Sequence, residues 1–128
     1  MCGIAGLLYP KGVTPPGMEV VRHRLGEMAD TLSHRGPDGE GYWQSVDSRV
    51  GLAHKRLAIV DLSLKAAQPM TSGNNQIWVT FNGEIYNHKF LRHQLEAMGH
   101  RFKTDHADTE VLIHGYEAWG VDGLAVRL

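Results

Sequence analysis

The amino-acid sequence predicts an α+β fold in a single domain, and three observations support this fold class. Apolar residues recur at three- and four-residue intervals over 18–32 and 87–98, and again from 108 onward, as in amphipathic helices. The stretches 42–46 and 50–54 have strand composition and flank a polar turn, which is typical of an antiparallel hairpin. A length of 128 residues and a hydrophobic fraction of 42% suit one modest globular domain.

The chain begins with an apolar strand and a turn-rich connection to the first helix. The strand is predicted over 4–9, and residues 10–17 supply glycines and prolines for turns. The first helix is predicted over 18–32, and we expect it to serve packing alone. Its apolar stripe consists of Met18, Val21, Leu25, Met28 and Leu32.

The loop 33–41 is dense in glycine, proline and charge, and it leads into the predicted hairpin. Sites are often built on such loops, although most of them are only connectors. Arg35 and Asp38 are expected to brace one another or a nearby site, and neither is assigned to chemistry.

Two stretches further along the chain offer candidate binding groups. Arg56 carries a guanidinium, which matches a carboxylate in a two-pronged geometry that lysine cannot reproduce; the alternative is a solvated arginine at a strand end. Residues 62–75 are predicted to be irregular, and 76–81 to form a strand. Asn82 and Gly83 follow, and they indicate either a tight turn or an amide and a backbone N–H that form an oxyanion hole.

The second half of the chain is predicted to be mostly helical. A helix over 87–98 is expected to end at Gly99, and 101–104 is expected to form a short strand. Asp108 is predicted to cap a third helix that ends at Gly120, after which another helix begins. A capping aspartate can also present its free oxygen to a substrate ammonium group.

Composition and motifs exclude several function classes. A formal net charge of −1 gives no electrostatic case for nucleic acid or an anionic membrane. No signal peptide and no membrane-spanning run are recognisable, and the single cysteine fits a reducing cytoplasm. The eight histidines are scattered without recognisable ligand spacing, so no metal site is expected.

Cys2 directly follows the initiator methionine. If Met1 is removed, one residue carries a thiol and a free α-amine, which is basic enough near neutral pH to take the thiol proton. The resulting thiolate is the reactive form of a cysteine nucleophile. Considered alone, a lone cysteine is more often a small buried hydrophobe.

The candidate groups together describe one kind of site. They comprise a nucleophile with its own base, two oxyanion donors, a cation for a carboxylate and anions for an ammonium group. Such a site suits an α-amino acid whose side-chain carbonyl is attacked by a thiolate, and glutamine fits it. The residues concerned are Cys2, Asn82, Gly83, Arg56, Asp108 and Glu84.

In these residues the chain resembles the glutaminase domain of glutamine-hydrolysing asparagine synthetase. That domain is a class II glutamine amidotransferase and an N-terminal-nucleophile (Ntn) hydrolase. The resemblance covers nearly the whole chain in the order of the family. The matching segments are 1–4, 34–38, 56–61, 68–69, 81–88 and 108–112.

The resemblance implies a role for each matching residue. Cys2 would attack the glutamine amide with its own α-amine as base, forming a thioester that water hydrolyses. Asn82 and Gly83 would stabilise the oxyanion. Arg56 would bind the α-carboxylate and Asp108 the α-ammonium group. The remaining lining residues would be Leu57, Ile59, Val60 and Glu84.

The resemblance also implies a four-layer αββα sandwich of two antiparallel sheets covered by helices. In the family, further strands and an ATP-using synthetase domain with a Ser-Gly-Gly loop follow. That motif is absent from residues 1–128, so we expect a glutaminase domain that is incomplete at its C-terminus. No cofactor is expected in this domain, and ATP and Mg²⁺ are expected only in the synthetase domain. The expected partners are glutamine and that domain, with a homodimer left open.

Two alternatives stay open. The same domain could serve an amidotransferase with another nitrogen acceptor, since the acceptor is chosen outside this sequence. It could also be a non-catalytic interaction module of the same fold, against which the intact set of candidate residues argues.

Overall fold

A computed structural model describes residues 1–58 and 64–128, which form two compact units of α+β structure. The N-terminal unit holds residues 1–58, 67–69 and 80–82, and the C-terminal unit holds the described residues of 64–66, 70–79 and 83–128. The main elements in chain order are β1 (Gly3–Leu8), α1 (Met18–Thr31), β2 (Gly39–Gln44), β3 (Val50–Arg56), β4 (Met70–Thr71), β5 (Trp78–Val79), α2 (His88–Ala97) and α3 (Glu110–Ala125). A 3-10 turn covers Leu64–Ala66. None of the described helices is long and apolar enough to cross a membrane.

The N-terminal unit is built on an antiparallel sheet in the order β1-β3-β2. Gly3 lies opposite Lys55, and Gly39 lies opposite Arg56, so the start of β1 and the end of β3 meet at one end of the sheet. The predicted first strand and hairpin are therefore confirmed, with β2 beginning earlier and β3 ending later than expected.

The helix α1 covers one face of this sheet. Val21, Leu25 and Ala29 are buried together with Ala53 of β3, because three- and four-residue spacing puts the helix residues on one side. Burying one Leu or Val side chain contributes about 1.5–3 kcal/mol. The predicted helix and its packing role are confirmed, although Met18 in the first turn is exposed.

Lys55 ties three elements of this unit together. Its ammonium group binds Glu40 of β2 and lies 3.6 Å from a carboxylate oxygen of Asp30 in α1. The hydrogen bond between the two side chains lowers the pKa of Glu40 and raises the pKa of Lys55. Lys55 therefore stays charged although its side chain is only 10% exposed.

In the C-terminal unit, α2 and α3 pack against each other, and their buried residues include Leu91, Leu95 and Val111. A second cluster joins Met70, Ala107 and Ile113. The helix α3 is broken at Gly120, where φ is +68°, so the predicted end of the third helix and the start of another are confirmed.

The helix α2 ends in a hydrogen-bonded turn at Gly99. This residue has a φ of +96°, a left-handed conformation that favours glycine, and its N–H donates to the carbonyl of Glu96 at 3.0 Å. The N–H of His100 donates to the carbonyl of Leu95 at 3.0 Å, which completes a Schellman motif. The predicted end of this helix is confirmed, and the position of His100 is fixed by it.

The predicted strand over 101–104 is wrong. The N–H groups of Lys103 and Thr104 donate to the carboxylate of Glu110 at 2.7 and 2.8 Å instead of to a neighbouring strand. Burial acts to raise the pKa of Glu110, but hydrogen bonds from His114, Lys103 and Thr104 outweigh it and lower the pKa to about 2. A buried carboxylate from α3 has therefore taken the donors that a strand would need.

The predicted strand over 76–81 is reduced to the two residues of β5. Its partner β4 is equally short, with Met70 opposite Val79 and Thr71 opposite Trp78. Pro69 precedes β4 and has no N–H to donate. Ser72 follows β4 and begins a turn, and its N–H donates to the carbonyl oxygen of Ile77. The two-residue ladder therefore lies between Pro69 on one side and the 72–77 turn on the other.

Candidate active site

Cys2 lies immediately before β1 and is half-buried. The N–H of Leu57 donates a hydrogen bond to Cys2 Sγ at 3.3 Å, and the thiol can donate to the Leu57 carbonyl oxygen at 3.7 Å. Because Gly3 pairs with Lys55, the start of the chain is held against the end of β3. The only thiol of the protein is therefore fixed on a main-chain segment.

The loop 33–41 supports that segment from the other direction. The N–H of Asp38 donates to the carbonyl of Arg56 at 2.9 Å, and Asp38 Oδ2 accepts the N–H of Ala58 at 2.8 Å. A Cβ on Gly36 would lie 2.2 Å from the Lys55 carbonyl oxygen, so only glycine permits this close approach. Asp38 thus braces the residues on both sides of Leu57.

Asn82 also belongs to the N-terminal unit, where it is half-buried. The preceding residue, Phe81, donates its N–H to Gln68 Oε1 at 2.6 Å. The side chain of Gln68 therefore holds the 80–82 segment that carries the predicted oxyanion donor.

His54 was not singled out by the sequence, yet it lies in β3 two residues before Arg56 and is only 2% exposed. Burial lowers the pKa of its imidazole; the backbone of Phe81 opposes this shift and the charge of Arg56 reinforces it. A neutral histidine thus lies close to the segment before Asn82. No signal for it was present in the sequence, because a His between Ala53 and Lys55 is not part of an apolar run; its burial is seen only in the folded β3.

The C-terminal unit holds the other predicted site residues. Gly83 and Glu84 are exposed, and Asp108 is half-buried. Asp108 Oδ2 accepts the N–H of Ile85 at 2.9 Å, and its Oδ1 accepts the hydroxyl of Thr109 at 3.3 Å. Asp108 is therefore tied to the chain that follows Gly83.

The predicted helix-capping role of Asp108 is wrong. The helix α3 begins at Glu110, its N-cap residue is Thr109, and no side chain caps it by a hydrogen bond. The carboxylate of Asp108 is instead used by the N–H of Ile85, because the turn before α2 comes within reach of it.

The structure thus brings Cys2 to Leu57 and its neighbour Arg56 in one unit, and Asp108 to the 83–85 segment in the other. Two predicted lining residues, Ile59 and Val60, lie outside the described residues.

Comparison with known proteins gives one matching family. The family described as "Glutamine amidotransferase domain" matches residues 1–127 of the chain. The match includes every residue predicted for the site.

Curated relatives are similar over most of this chain. Asparagine synthetase [glutamine-hydrolyzing] 2 of Bacillus subtilis (strain 168) is 44% identical over 121 residues, covering 94% of this chain and 15% of the relative. The probable asparagine synthetase [glutamine-hydrolyzing] of Dictyostelium discoideum is 44% identical over 123 residues, covering 95% and 21%. Asparagine synthetase [glutamine-hydrolyzing] 1 of Arabidopsis thaliana is 43% identical over 122 residues, covering 95% and 19%. The chain therefore spans only a small part of the length of these relatives.

Proposed function

Because the chain belongs to the glutamine amidotransferase domain family, we propose that it hydrolyses glutamine to glutamate and ammonia and supplies this nitrogen for asparagine synthesis. The observation that carries the proposal is the hydrogen bond from the Leu57 N–H to Cys2 Sγ. It holds the single thiol of the protein next to Arg56, a cation suited to the carboxylate of an amino acid.

Cys2 is the proposed nucleophile, with Met1 removed. Its α-amine takes the thiol proton, and the hydrogen bond from Leu57 becomes stronger once the sulfur is charged. The thiolate attacks the side-chain amide carbon of glutamine. The Cδ–N bond then breaks, and the α-ammonium group of Cys2 gives a proton to the leaving nitrogen, which departs as ammonia.

The second half of the reaction hydrolyses the thioester. Water attacks the thioester carbon and gives a proton to the α-amine, and the C–S bond breaks to release glutamate and the thiolate. Asn82 and Gly83 are proposed to donate hydrogen bonds to the oxyanion in both steps. Removing one such donor from an enzyme costs roughly 10²–10³ in kcat.

Binding of the amino-acid end of glutamine is proposed to rest on opposite charges. Arg56 binds the α-carboxylate in a two-pronged geometry, and Asp108 binds the α-ammonium group with help from Glu84. The hydrogen bonds of Asp38 to Arg56 and Ala58 support the proposal, because they fix the backbone that carries Arg56. Leu57, Ile59 and Val60 are proposed to line the remainder of the pocket.

The wider assembly is also a proposal. We infer that residues 1–128 form the glutaminase part of an Ntn-type four-layer sandwich and act with a C-terminal synthetase domain that uses ATP and Mg²⁺ to activate aspartate. The small share of each relative that the chain covers, 15–21%, supports a further domain in the working enzyme. The proposed glutaminase chemistry needs no cofactor, because the thiolate is the nucleophile, the α-amine of Cys2 carries each proton, and Asn82 and Gly83 stabilise the oxyanion.

The test combines intact mass with labelling by a glutamine-like diazo-ketone. We expect the mature protein to lack Met1 and to take up one label, mapped to Cys2 by peptide mass spectrometry and blocked by excess glutamine. Cys2→Ser is the matched control, since it keeps the size of the side chain and should take up no label. Retention of Met1, or a label on another residue in the unmutated protein, would contradict the proposal.

A further inference from the structure

Three potential metal ligands that are not among the residues assigned to glutamine meet in the C-terminal unit. His100, His114 and Glu117 form what we term the His–Glu cluster. His100 Nδ1 lies 3.2 Å from His114 Nδ1, His114 Nδ1 lies 3.3 Å from Glu117 Oε2, and His100 Nδ1 lies 3.6 Å from that same oxygen. One potential ligand atom of each side chain therefore lies within 3.6 Å of the other two.

These distances match the edges of a metal-centred tetrahedron. Zinc binds imidazole nitrogen and carboxylate oxygen at about 2.0–2.2 Å, so two ligands of a tetrahedral site are about 3.3–3.6 Å apart. The three measured distances span 3.2–3.6 Å. A single hydrogen-bonded pair of side chains would explain one such distance, whereas three atoms that all lie 3.2–3.6 Å apart suit a shared cation.

The ligands stand on well-fixed backbone. His100 directly follows Gly99, and its N–H is bound to the carbonyl of Leu95 in the turn that ends α2. His114 and Glu117 are three residues apart on α3, so they lie on one helix face. A cation held here would link the end of α2 to α3.

The surroundings of His114 suit a metal-binding histidine. Its second nitrogen, Nε2, lies 3.5 Å from Glu110 Oε1, and a carboxylate behind the far nitrogen orients metal-binding histidines in many proteins. The Glu110 carboxylate is itself held by the hydroxyl of Thr104 at 2.6 Å. The side chains of His114 and His100 are only 11% and 20% exposed, so little water competes for their nitrogens.

We propose that the His–Glu cluster binds one divalent transition-metal cation, with zinc the best-suited ion. Imidazole and carboxylate ligands together favour zinc in tetrahedral geometry, and the three protein ligands leave a fourth position for water. Glu117, whose side chain is 28% exposed, gives that position access to solvent. The site is independent of the proposed glutaminase reaction and fixes the α2–α3 connection.

The experiment measures zinc binding to chelator-treated, tag-free protein by calorimetry, in a Cys2→Ser background so that the terminal thiol cannot compete. We expect one zinc ion per chain and, with Co²⁺ as a substitute, the intense visible absorption of a tetrahedral site. His100→Asn and Glu117→Gln should each weaken zinc binding by at least about tenfold, comparable with losses seen on disturbing the supports of metal ligands.

His23→Asn is the matched control, because His23 also faces a glutamate, Glu27, at 3.5 Å but has no third ligand among the described residues. This variant should bind zinc as the parent does. Circular dichroism checks that each variant is folded. If His100→Asn does not fold, the zinc affinity of Glu117→Gln is the test. Absence of stoichiometric zinc binding, or binding unchanged in the folded ligand variants, would overturn the proposal. Since the readout is metal uptake, neither result depends on labelling of Cys2.

Discussion

Among single residues, Arg56 is the one whose substitution tests the proposed glutamine site most directly, because its charge is proposed to bind the α-carboxylate. Arg56→Ala should raise the KM for glutamine by about 10- to 150-fold, because a hydrogen bond to a charged group is worth about 1.5–3 kcal/mol. Arg56→Lys should have a KM between that of the parent and that of Arg56→Ala, since it keeps the charge but loses the two-pronged geometry. Steady-state glutamate release measures the effect.

The exposed Arg22 on α1 provides the control for the Arg56 variants. Arg22→Ala removes the same charge from the protein without touching the candidate site, so its KM should equal that of the parent. An Arg56→Ala enzyme with unchanged KM would remove Arg56 from the glutamine site.

His54 gives a pH-dependent prediction. Burial lowers the pKa of its imidazole below the usual 6.5, so the unfolded chain takes up this proton first as the pH falls. His54 therefore does not affect the pH dependence of stability above about pH 6.5. Below that pH it contributes a destabilisation that grows as the pH falls and becomes constant below the folded-state pKa. His54→Gln should make the unfolding free energy depend less on pH over this range.

The His54 comparison is best made by urea unfolding of parent and variant at pH 7.5, 6.5 and 5.5. The exposed His23 supplies the control, because His23→Gln should leave the pH dependence of the parent in place. A His54 variant whose stability still falls as steeply as that of the parent would contradict the assignment of a neutral buried imidazole.

How far single residues could be predicted depended on whether their chemistry is local. Cys2 and Arg56 were singled out because a thiol beside an α-amine can act as a nucleophile and a guanidinium can match a carboxylate; their roles stay predictions. The environment of His54 could not be foreseen in the same way, because its burial, which lowers its pKa, and its contact with the backbone of Phe81 arise only when segments distant in sequence come together. The His–Glu cluster was missed because His100 and His114 come together only when α2 and α3 pack.

Among secondary-structure elements, those defined by local periodicity agreed with prediction and those decided by distant partners did not. The apolar spacing within α1 specified its buried face without reference to other segments. The stretch 101–104 lost its strand character to the carboxylate of Glu110, which the strand composition of that stretch cannot reveal. The predicted strand over 76–81 was reduced to β5, because its partner β4 is itself only two residues long.

The end of α2 offers a prediction with a built-in contrast. Gly99→Ala should destabilise the protein by about 1 kcal/mol, because φ is +96° there and a Cβ is strained in that conformation. Gly26→Ala, in the interior of α1, should stabilise it by about 0.5–1 kcal/mol, since its Cβ would meet no atom within 4 Å.

The two glycine variants serve as controls for each other, because the chemical change is the same and only the backbone conformation differs. Urea denaturation followed by circular dichroism gives both values. Changes of the same sign would show that the left-handed turn at Gly99 is not what makes alanine unfavourable there.

At the scale of the whole molecule, the matches described above include 94–95% of this chain but only 15–21% of the asparagine synthetases to which it is similar. The proposed reaction therefore makes ammonia that another domain consumes. Because release of ammonia and its use are separate chemical steps, a change confined to the first should leave the second intact.

Cys2→Ala tests this separation in the full-length synthetase that is proposed above. Glutamine-dependent asparagine formation should be lost, since no thioester can form, whereas formation from added ammonium salt should continue at the parental rate. Asparagine is measured by chromatography with each nitrogen source. Loss of both activities would show that Cys2 supports more than glutamine hydrolysis, and retention of both would exclude it as the nucleophile.

The contact between Leu57 and the sulfur of Cys2 has a consequence for how this protein can vary. The donor is a peptide N–H, which nineteen of the twenty amino acids have, so exchanging the side chain at position 57 for any of these does not remove it. Proline alone lacks the hydrogen. Most substitutions at position 57 should therefore keep the hydrogen bond that orients Cys2 Sγ.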